Sequence, residues 1–356
     1  MIPPFAQIDF EVTNRCNAKC HFCPRDKTPH QGLMSPEVFE AALGRAVEFR
    51  DAFASRFDLE VRVALCGLGE PLLNRHVADY ARAVTDQGFY CSVSTNGSLL
   101  DEVKGRALLE AGIRQIDINV GDLDEEYDEV YRLPFETTRD NVVRFVEMAG
   151  VRCRVQVVVV DHRGDPTHSR RVVDYWRERG VAHFLPYPIM NRGGAYEVDA
   201  MAFAEYAESD QARELLATSL GRFPVCPAPF IFQFIGYDGQ HYLCCSDWTK
   251  LTPMGSVFDT GFVEVFDAKI RYVTSGEPVC RTCNHDPFNR VTADLREVST
   301  GAGTRAQVDA TVEDIRINDG FARSILERFG TAVPTDVTPS APPRRTLIPV
   351  RVDSPT

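Results

Sequence analysis

The chain has 356 residues, 44% of them hydrophobic, enough to fill one large domain and a smaller one. Its formal charge of −12 argues against a nucleic-acid partner, which needs clustered Lys and Arg, and suits a cationic small molecule. The start lacks a basic-then-apolar export signal and the longest apolar run, 155–160, is strand-length, so a cytoplasmic chain without membrane contact is expected. Eleven cysteines in such a chain point to metal or redox chemistry, not disulfides.

Gln7–Val12 alternates polar and apolar residues and predicts a strand. It opens into a loop, residues 13–25, whose cysteines Cys16, Cys20 and Cys23 are spaced C-x3-C-x2-C. The C-terminal end of a strand is where α/β folds place their chemistry. Three thiolates suit a four-iron cluster with one iron left open, with a zinc site or unrelated cysteines as alternatives.

Ser35-Pro36-Glu37 signals a helix start, with a run to about Phe49 expected. A strand at 59–65 opens into Gly67-Leu68-Gly69-Glu70-Pro71. A helix at 75–86 and a strand at 89–94 lead to the turn Thr95-Asn96-Gly97. A helix at 101–110 and a strand at 113–120 follow, the latter alternating Asp117 and Asn119 with Ile116 and Ile118. Next come a helix at 138–148, a strand at 152–160, a helix at 166–179 and a strand at 181–186. The apolar half of the 152–160 strand predicts burial on both faces of a parallel sheet, and Arg154 and Gln156 mark its polar end. Six strand–helix alternations predict an α/β fold with right-handed crossovers. Met190–Gly194, with Arg192, follows the last strand.

The cysteine loop followed in order by the Gly67–Pro71 turn resembles the radical S-adenosylmethionine (SAM) superfamily. The resemblance implies an open, partial (β/α)6 barrel and a 4Fe-4S cluster on Cys16, Cys20 and Cys23. SAM would chelate the open iron through its amino and carboxylate groups. One electron, from a reductant such as flavodoxin or ferredoxin, would cleave SAM to methionine and a 5′-deoxyadenosyl radical. Carried over by position, Gly67 and Gly69 would let the backbone approach SAM, and Glu70 would accept from its ammonium. Thr95, Asn96 and Asn119 are further candidates for SAM contact, with a plain turn as the alternative for the first two. Arg154 and Gln156 are the candidates for the SAM carboxylate, with surface exposure as the alternative, and Arg192 is the candidate for substrate contact.

A second cysteine set lies beyond residue 223. Residues 230–235 and 240–244 read as a hairpin across Asp238-Gly239. Cys226, Gly239 and Cys244 are spaced C-x12-G-x4-C, and Cys280 and Cys283 form C-x2-C. This resembles the shortened twitch form of the SPASM domain, a small hairpin-plus-helix unit. It implies a second, auxiliary 4Fe-4S cluster on Cys226, Cys244, Cys280 and Cys283, with a zinc ribbon as the alternative. Cys245 directly follows a predicted ligand, and on an extended strand it would point to the opposite face. There it would serve as a hydrogen-atom donor, or be simply buried, or be an alternative ligand. Asp247, Tyr242 and Trp248 are candidate neighbours. Cys66, Cys91 and Cys153 lie in strand-like runs and are read as buried small hydrophobes.

The expected organisation is a radical SAM core at 1–198, a helical linker at 199–222 and a twitch unit at 223–292. A helical extension follows at 293–332, and 333–356, with six prolines, is expected to be a disordered tail. The expected reaction is hydrogen abstraction from a hydroxyl-bearing carbon of a sugar, aminocyclitol or aminoglycoside-like substrate. Epimerisation with Cys245 as donor leads, and dehydrogenation with the auxiliary cluster as electron acceptor follows. Sugar-acid decarboxylation and peptide modification are further alternatives.

Overall fold

A computed structural model of the chain describes residues 5–57, 60–189, 192–195, 228–250, 252–275, 279–280, 283, 294, 301 and 303–310. Cys226, the expected linker and the expected tail lie outside these residues, as does most of 293–332.

Six strands run parallel: β1 (Phe5–Glu11), β2 (Glu60–Cys66), β3 (Tyr90–Thr95), β4 (Gln115–Asn119), β5 (Arg154–Asp161) and β6 (His183–Pro188). Between them lie α1 (Pro36–Phe57), α2 (Val77–Asp86), α3 (Glu102–Glu110), α4 (Asp124–Tyr131), α5 (Phe135–Ala149) and α6 (Pro166–Arg177). The chain then adds α7 (Ala228–Ile231), β7 (Phe232–Ile235), β8 (Gln240–Tyr242), β9 (Gly255–Ser256) and α8 (Phe262–Ser275). All nine strands form one open sheet in the order β6-β5-β4-β3-β2-β1-β7-β8-β9. It does not close into a barrel, in line with the expected α/β fold and partial barrel. No described helix is long and apolar enough to cross a membrane.

Period-two patterning divides the sheet. Ile8, Phe10, Val63, Leu65, Val93, Ile116, Ile118, Val157 and Val159 are buried in one core with Phe39, Tyr80, Val142, Phe145 and Trp176 of the helices. Each such side chain contributes roughly 1.5–3 kcal/mol by leaving water. The other face carries Gln7, Asp9, Glu11, Cys66, Ser92, Asp117, Asn119 and Gln156, which alternate along the same strands. A polar face of this kind can hold a ligand.

Several boundaries differ from the sequence reading. Helix α4 was not predicted, because Asp124, Glu125 and Glu126 crowd its first turn and mask the apolar positions Tyr127, Val130 and Tyr131. Those acids favour a helix N-terminus. Helix α1 continues to Phe57, and β6 lies two residues later than expected. The predicted hairpin forms across Asp238-Gly239, where Gly239 has φ +77°. However, β8 ends at Tyr242, so Cys244 and Cys245 sit in the bend that follows and not on a strand.

Strand β7 pairs parallel with β1, Phe234 opposite Asp9, so the hairpin extends the core sheet. A buried ion pair locks that junction. Glu11, at the end of β1, is fully buried and meets Lys250 Nζ, whose side chain is 4% exposed. Glu11 also accepts from the backbone N–H of Leu68 and of Tyr237, both at 3.3 Å. The ammonium lies 4.9 Å from the Tyr242 ring centroid and 5.5 Å from those of Phe234 and Tyr237.

Removing one partner of such a pair strands a buried charge. Glu11→Gln should therefore lose about 3–5 kcal/mol of stability by chemical denaturation, and the double variant Glu11→Met/Lys250→Met should lose less. A wild-type midpoint for Glu11→Gln would contradict the locking role.

Candidate active site

The cysteine loop leaves β1 and is held by its own neighbours. Asn14 donates to His30 O (2.6 Å) and accepts from Gly32 N (2.8 Å), while Thr13 donates to Gly32 O (2.7 Å). Arg25 straps the loop closed, its guanidinium donating to Cys16 O (2.9 Å) and Ala18 O (3.0 Å). From outside, Lys19 N donates to Tyr131 O and His21 N to Val130 O at the end of α4.

The three loop thiols lie close enough to raise one another. Burial pushes Cys20 up, and Cys23 and Cys16 push it further. Burial raises Cys16 to about 11, with Glu70 and Cys23 adding to the rise. Burial also raises Cys23, where Arg192 and Arg25 offset part of the effect. A thiol set of this kind gains from a bound cation that stabilises thiolate. Three partly buried thiols this close together form a donor set that fits a metal group bound through thiolates.

The Gly67–Pro71 turn packs directly on this loop. Gly67 has φ +129°, and a Cβ there would fall 2.5 Å from Glu11 Cγ. A Cβ on Gly69 would fall 2.3 Å from Arg15 O, and Glu70 N donates to that same oxygen at 2.8 Å. The close approach these glycines allow is thus to Glu11 of β1 and to the loop backbone at Arg15. Glu70 is 1% exposed and accepts from Thr95 Oγ1 (2.7 Å), Asn96 N (2.7 Å) and Leu72 N (3.0 Å). An incoming ammonium would meet a carboxylate already held by three donors. Asn96 Nδ2 donates to Asn17 Oδ1 (3.0 Å) and lies 3.9 Å from Cys16 Sγ, so the Thr95–Gly97 turn borders the loop. Asn119 ends β4 beside it, with Nδ2 3.2 Å from Ser94 Oγ.

Arg154 is the exception. It begins β5, pairing with Gln115, whereas the cysteine loop follows the strands' C-terminal ends. Its exposed side chain donates to Gln156 Oε1 (3.0 Å) at the far end of the polar face. The expected SAM-carboxylate contact therefore has no support in its placement.

The two adjacent cysteines of the C-terminal segment diverge. Cys244 packs with Leu243, Met254, Val265 and Val279, against which Cys280 also packs, and Cys283 is buried. Cys245 packs instead on Leu68, Phe234, Tyr242 and Trp248, the cluster that Cys23 and Ala195 also touch. Burial raises the Cys245 thiol to about 11, with Asp9 adding to the rise and Arg192 opposing it. Arg192, in the left-handed region at φ +52°, sets its guanidinium 5.3 Å from the Trp248 ring centroid. Asp9 is 5% exposed, accepts from Gln7 Nε2 at 2.7 Å and is raised to about 6 by burial, with the Gln7 and Cys66 bonds pulling it down. Cys66 thus belongs to the polar face, not to the helix-side core that holds Cys91 and Cys153.

Sequence reasoning missed Asp9, Lys250, Arg25 and a cluster around Asp122. For Asp9 the signal was present, since an acid alternating with Ile8 and Phe10 on a strand must face away from the core. The side chains of Asp122, Glu126 and His168 place ligand atoms within 4.8 Å of one another. Arg163 lies 2.7 Å from Asp122, and Arg171 pairs with Glu126, so guanidiniums already supply the positive charge there.

Residues 10–175 match the Radical SAM superfamily. A PqqA peptide cyclase of Methylocella silvestris is 24% identical over 262 residues, which are 69% of this chain and 65% of that protein. A GTP 3′,8-cyclase of Aquifex aeolicus is 26% identical over 260 residues, 69% of this chain and 76% of that one. The chain thus spans about two-thirds to three-quarters of the length of these relatives. Streptococcus suis SuiB, bound to precursor peptide SuiA, superposes with a TM-score of 0.58 at 14% identity, over 80% of this chain and 70% of that chain. At that identity the likeness is one of fold. Residues 10–175 thus carry a radical SAM domain.

Proposed function

We propose that the enzyme removes hydrogen from a hydroxyl-bearing carbon of a polyhydroxylated, cationic small molecule and returns a hydrogen atom from Cys245, inverting that carbon. The observation that carries this reading is the divergence of Cys244 and Cys245, which puts the Cys245 thiol on the apolar cluster shared with Cys23. When bound, the iron–sulfur cluster of Cys16, Cys20 and Cys23 supplies the electron that splits SAM into methionine and a 5′-deoxyadenosyl radical.

The chain's own residues then set the outcome. Abstraction leaves a carbon radical and 5′-deoxyadenosine. Cys245, with its raised pKa, keeps its S–H at neutral pH and gives the hydrogen to that carbon. The sulfur radical left behind takes one electron from a flavodoxin- or ferredoxin-type reductant and one proton, restoring the thiol. Asp9, largely ionised at pH 7 and buried, would bind a cationic or hydroxyl group of the substrate, while Lys250 already neutralises Glu11. Cys226, Cys244, Cys280 and Cys283 would hold an auxiliary 4Fe-4S cluster as the electron path.

Dehydrogenation is the second reading, and the placement of Asp9 favours it. A buried carboxylate near Cys245 can take the hydroxyl proton while the electron leaves through the auxiliary cluster, giving a ketone. Peptide modification has behind it the names of two similar proteins, the PqqA peptide cyclase and the SuiB–SuiA complex.

Turnover in D2O should place one solvent deuterium on the inverted carbon, since the Cys245 S–H exchanges. Cys245→Ala should stop product formation while SAM is still cleaved; normal product from that variant would rule out the donor role. A product lighter by two hydrogens and free of label would select dehydrogenation. Separately, replacing Cys16, Cys20 and Cys23 by Ala should remove about four irons per chain and all 5′-deoxyadenosine, measured after anaerobic reconstitution.

A further inference from the structure

Phe22 stands between Cys20 and Cys23, so the plane of its ring bears on the spacing of two of the three loop cysteines. That ring stacks on the imidazole of His162, centroids 5.1 Å apart and planes 15° apart. His21 meets the same imidazole edge-on at 4.8 Å, and Tyr131 meets Phe22 edge-on at 5.7 Å. His162 lies just beyond β5 and reaches the cysteine loop through Phe22 and His21.

The imidazole is fixed in turn. His162 Nε2 lies 2.8 Å from Asp122 Oδ2, and a carboxylate only accepts, so Nε2 carries the proton. Asp122 is fully buried. Its other oxygen takes Arg163 at 2.7 Å and His168 at 3.1 Å. Burial pushes Asp122 up, but the bonds from His162 and Arg163 outweigh it and hold the carboxyl below the usual range. With Glu126 paired to Arg171, two carboxylates there face two guanidiniums.

We propose that His162 and Asp122 are positioning residues for the SAM-binding loop: Asp122 fixes the imidazole plane, the imidazole fixes the Phe22 ring, and Phe22 fixes the approach of Cys20 and Cys23. The loop is then preorganised for its cofactor instead of being ordered on binding, which strengthens affinity without a direct contact. Neither residue touches the thiols, so their effect is on geometry.

The test uses the full, anaerobically reconstituted chain and three variants, His162→Ala, His162→Phe and Asp122→Asn. Iron and sulfide content, SAM affinity by equilibrium dialysis, and the change SAM induces in the EPR spectrum of the reduced cluster are read for each. All variants should reconstitute with wild-type iron. His162→Ala should weaken SAM binding about tenfold and shrink the SAM-induced EPR change, the size expected for losing one aromatic stack. His162→Phe keeps an aromatic ring stacked on Phe22 while losing the bond to Asp122, and should restore both to within about twofold. Asp122→Asn should fall between. Wild-type affinity and EPR response in His162→Ala would overturn the proposal, as would a His162→Phe variant as weak as His162→Ala. If His162→Ala does not fold, the other two decide. His162→Phe binding SAM better than Asp122→Asn supports the proposal, and the reverse order refutes it.

Discussion

The parallel pairing of β7 with β1 is the constraint on which the site depends. It lays the segment 244–250 across the end of the strand that feeds the cysteine loop. The Glu11–Lys250 pair seals it from inside, and Thr28 Oγ1, just past the last loop cysteine, donates to Trp248 O at 3.0 Å. Residues more than 200 positions apart are thereby held at hydrogen-bonding distance. Two ties of different chemistry make the junction specific: an ion pair that cannot shift without stranding a charge, and a hydroxyl that fixes one carbonyl.

The electrostatics follow from that packing. Burial raises the thiols of Cys16 and Cys245 to about 11, a rise that a bound cation would offset at the loop. Arg192 sits near Cys23 and Cys245 and over Trp248, where one positive charge moderates both thiols. Asp9 is bonded to Gln7 and feels the Lys269 charge from a distance, whereas Glu11 is paired directly with Lys250.

Much of this was legible in the sequence. The strand–helix alternation, the cysteine loop, the glycine turn against it and the Asp-Gly hairpin are local signals, each carried by a few adjacent residues. What stayed hidden is non-local. Lys250 lies in a bend, and nothing near it announces a partner on β1. Asp122 and His162 sit on separate loops 40 residues apart and come together only because β4 and β5 are neighbours in the sheet. For Arg154 the missing information is direction: a parallel strand has one, and the first residue of β5 lies at the end away from the loop. The nearest neighbours of Gly67 and Gly69, Glu11 and Arg15, are likewise distant in sequence.

The most direct measurement is iron and sulfide content of Cys244→Ala beside Cys245→Ala, each reconstituted anaerobically. Cys244 packs on the same side as Cys280, while Cys245 faces Cys23 and Trp248. Cys244→Ala should therefore lose about four irons per chain, and Cys245→Ala should keep the wild-type content. Loss of iron from Cys245→Ala would make that thiol a ligand, and the division of labour between the two neighbouring cysteines would be wrong.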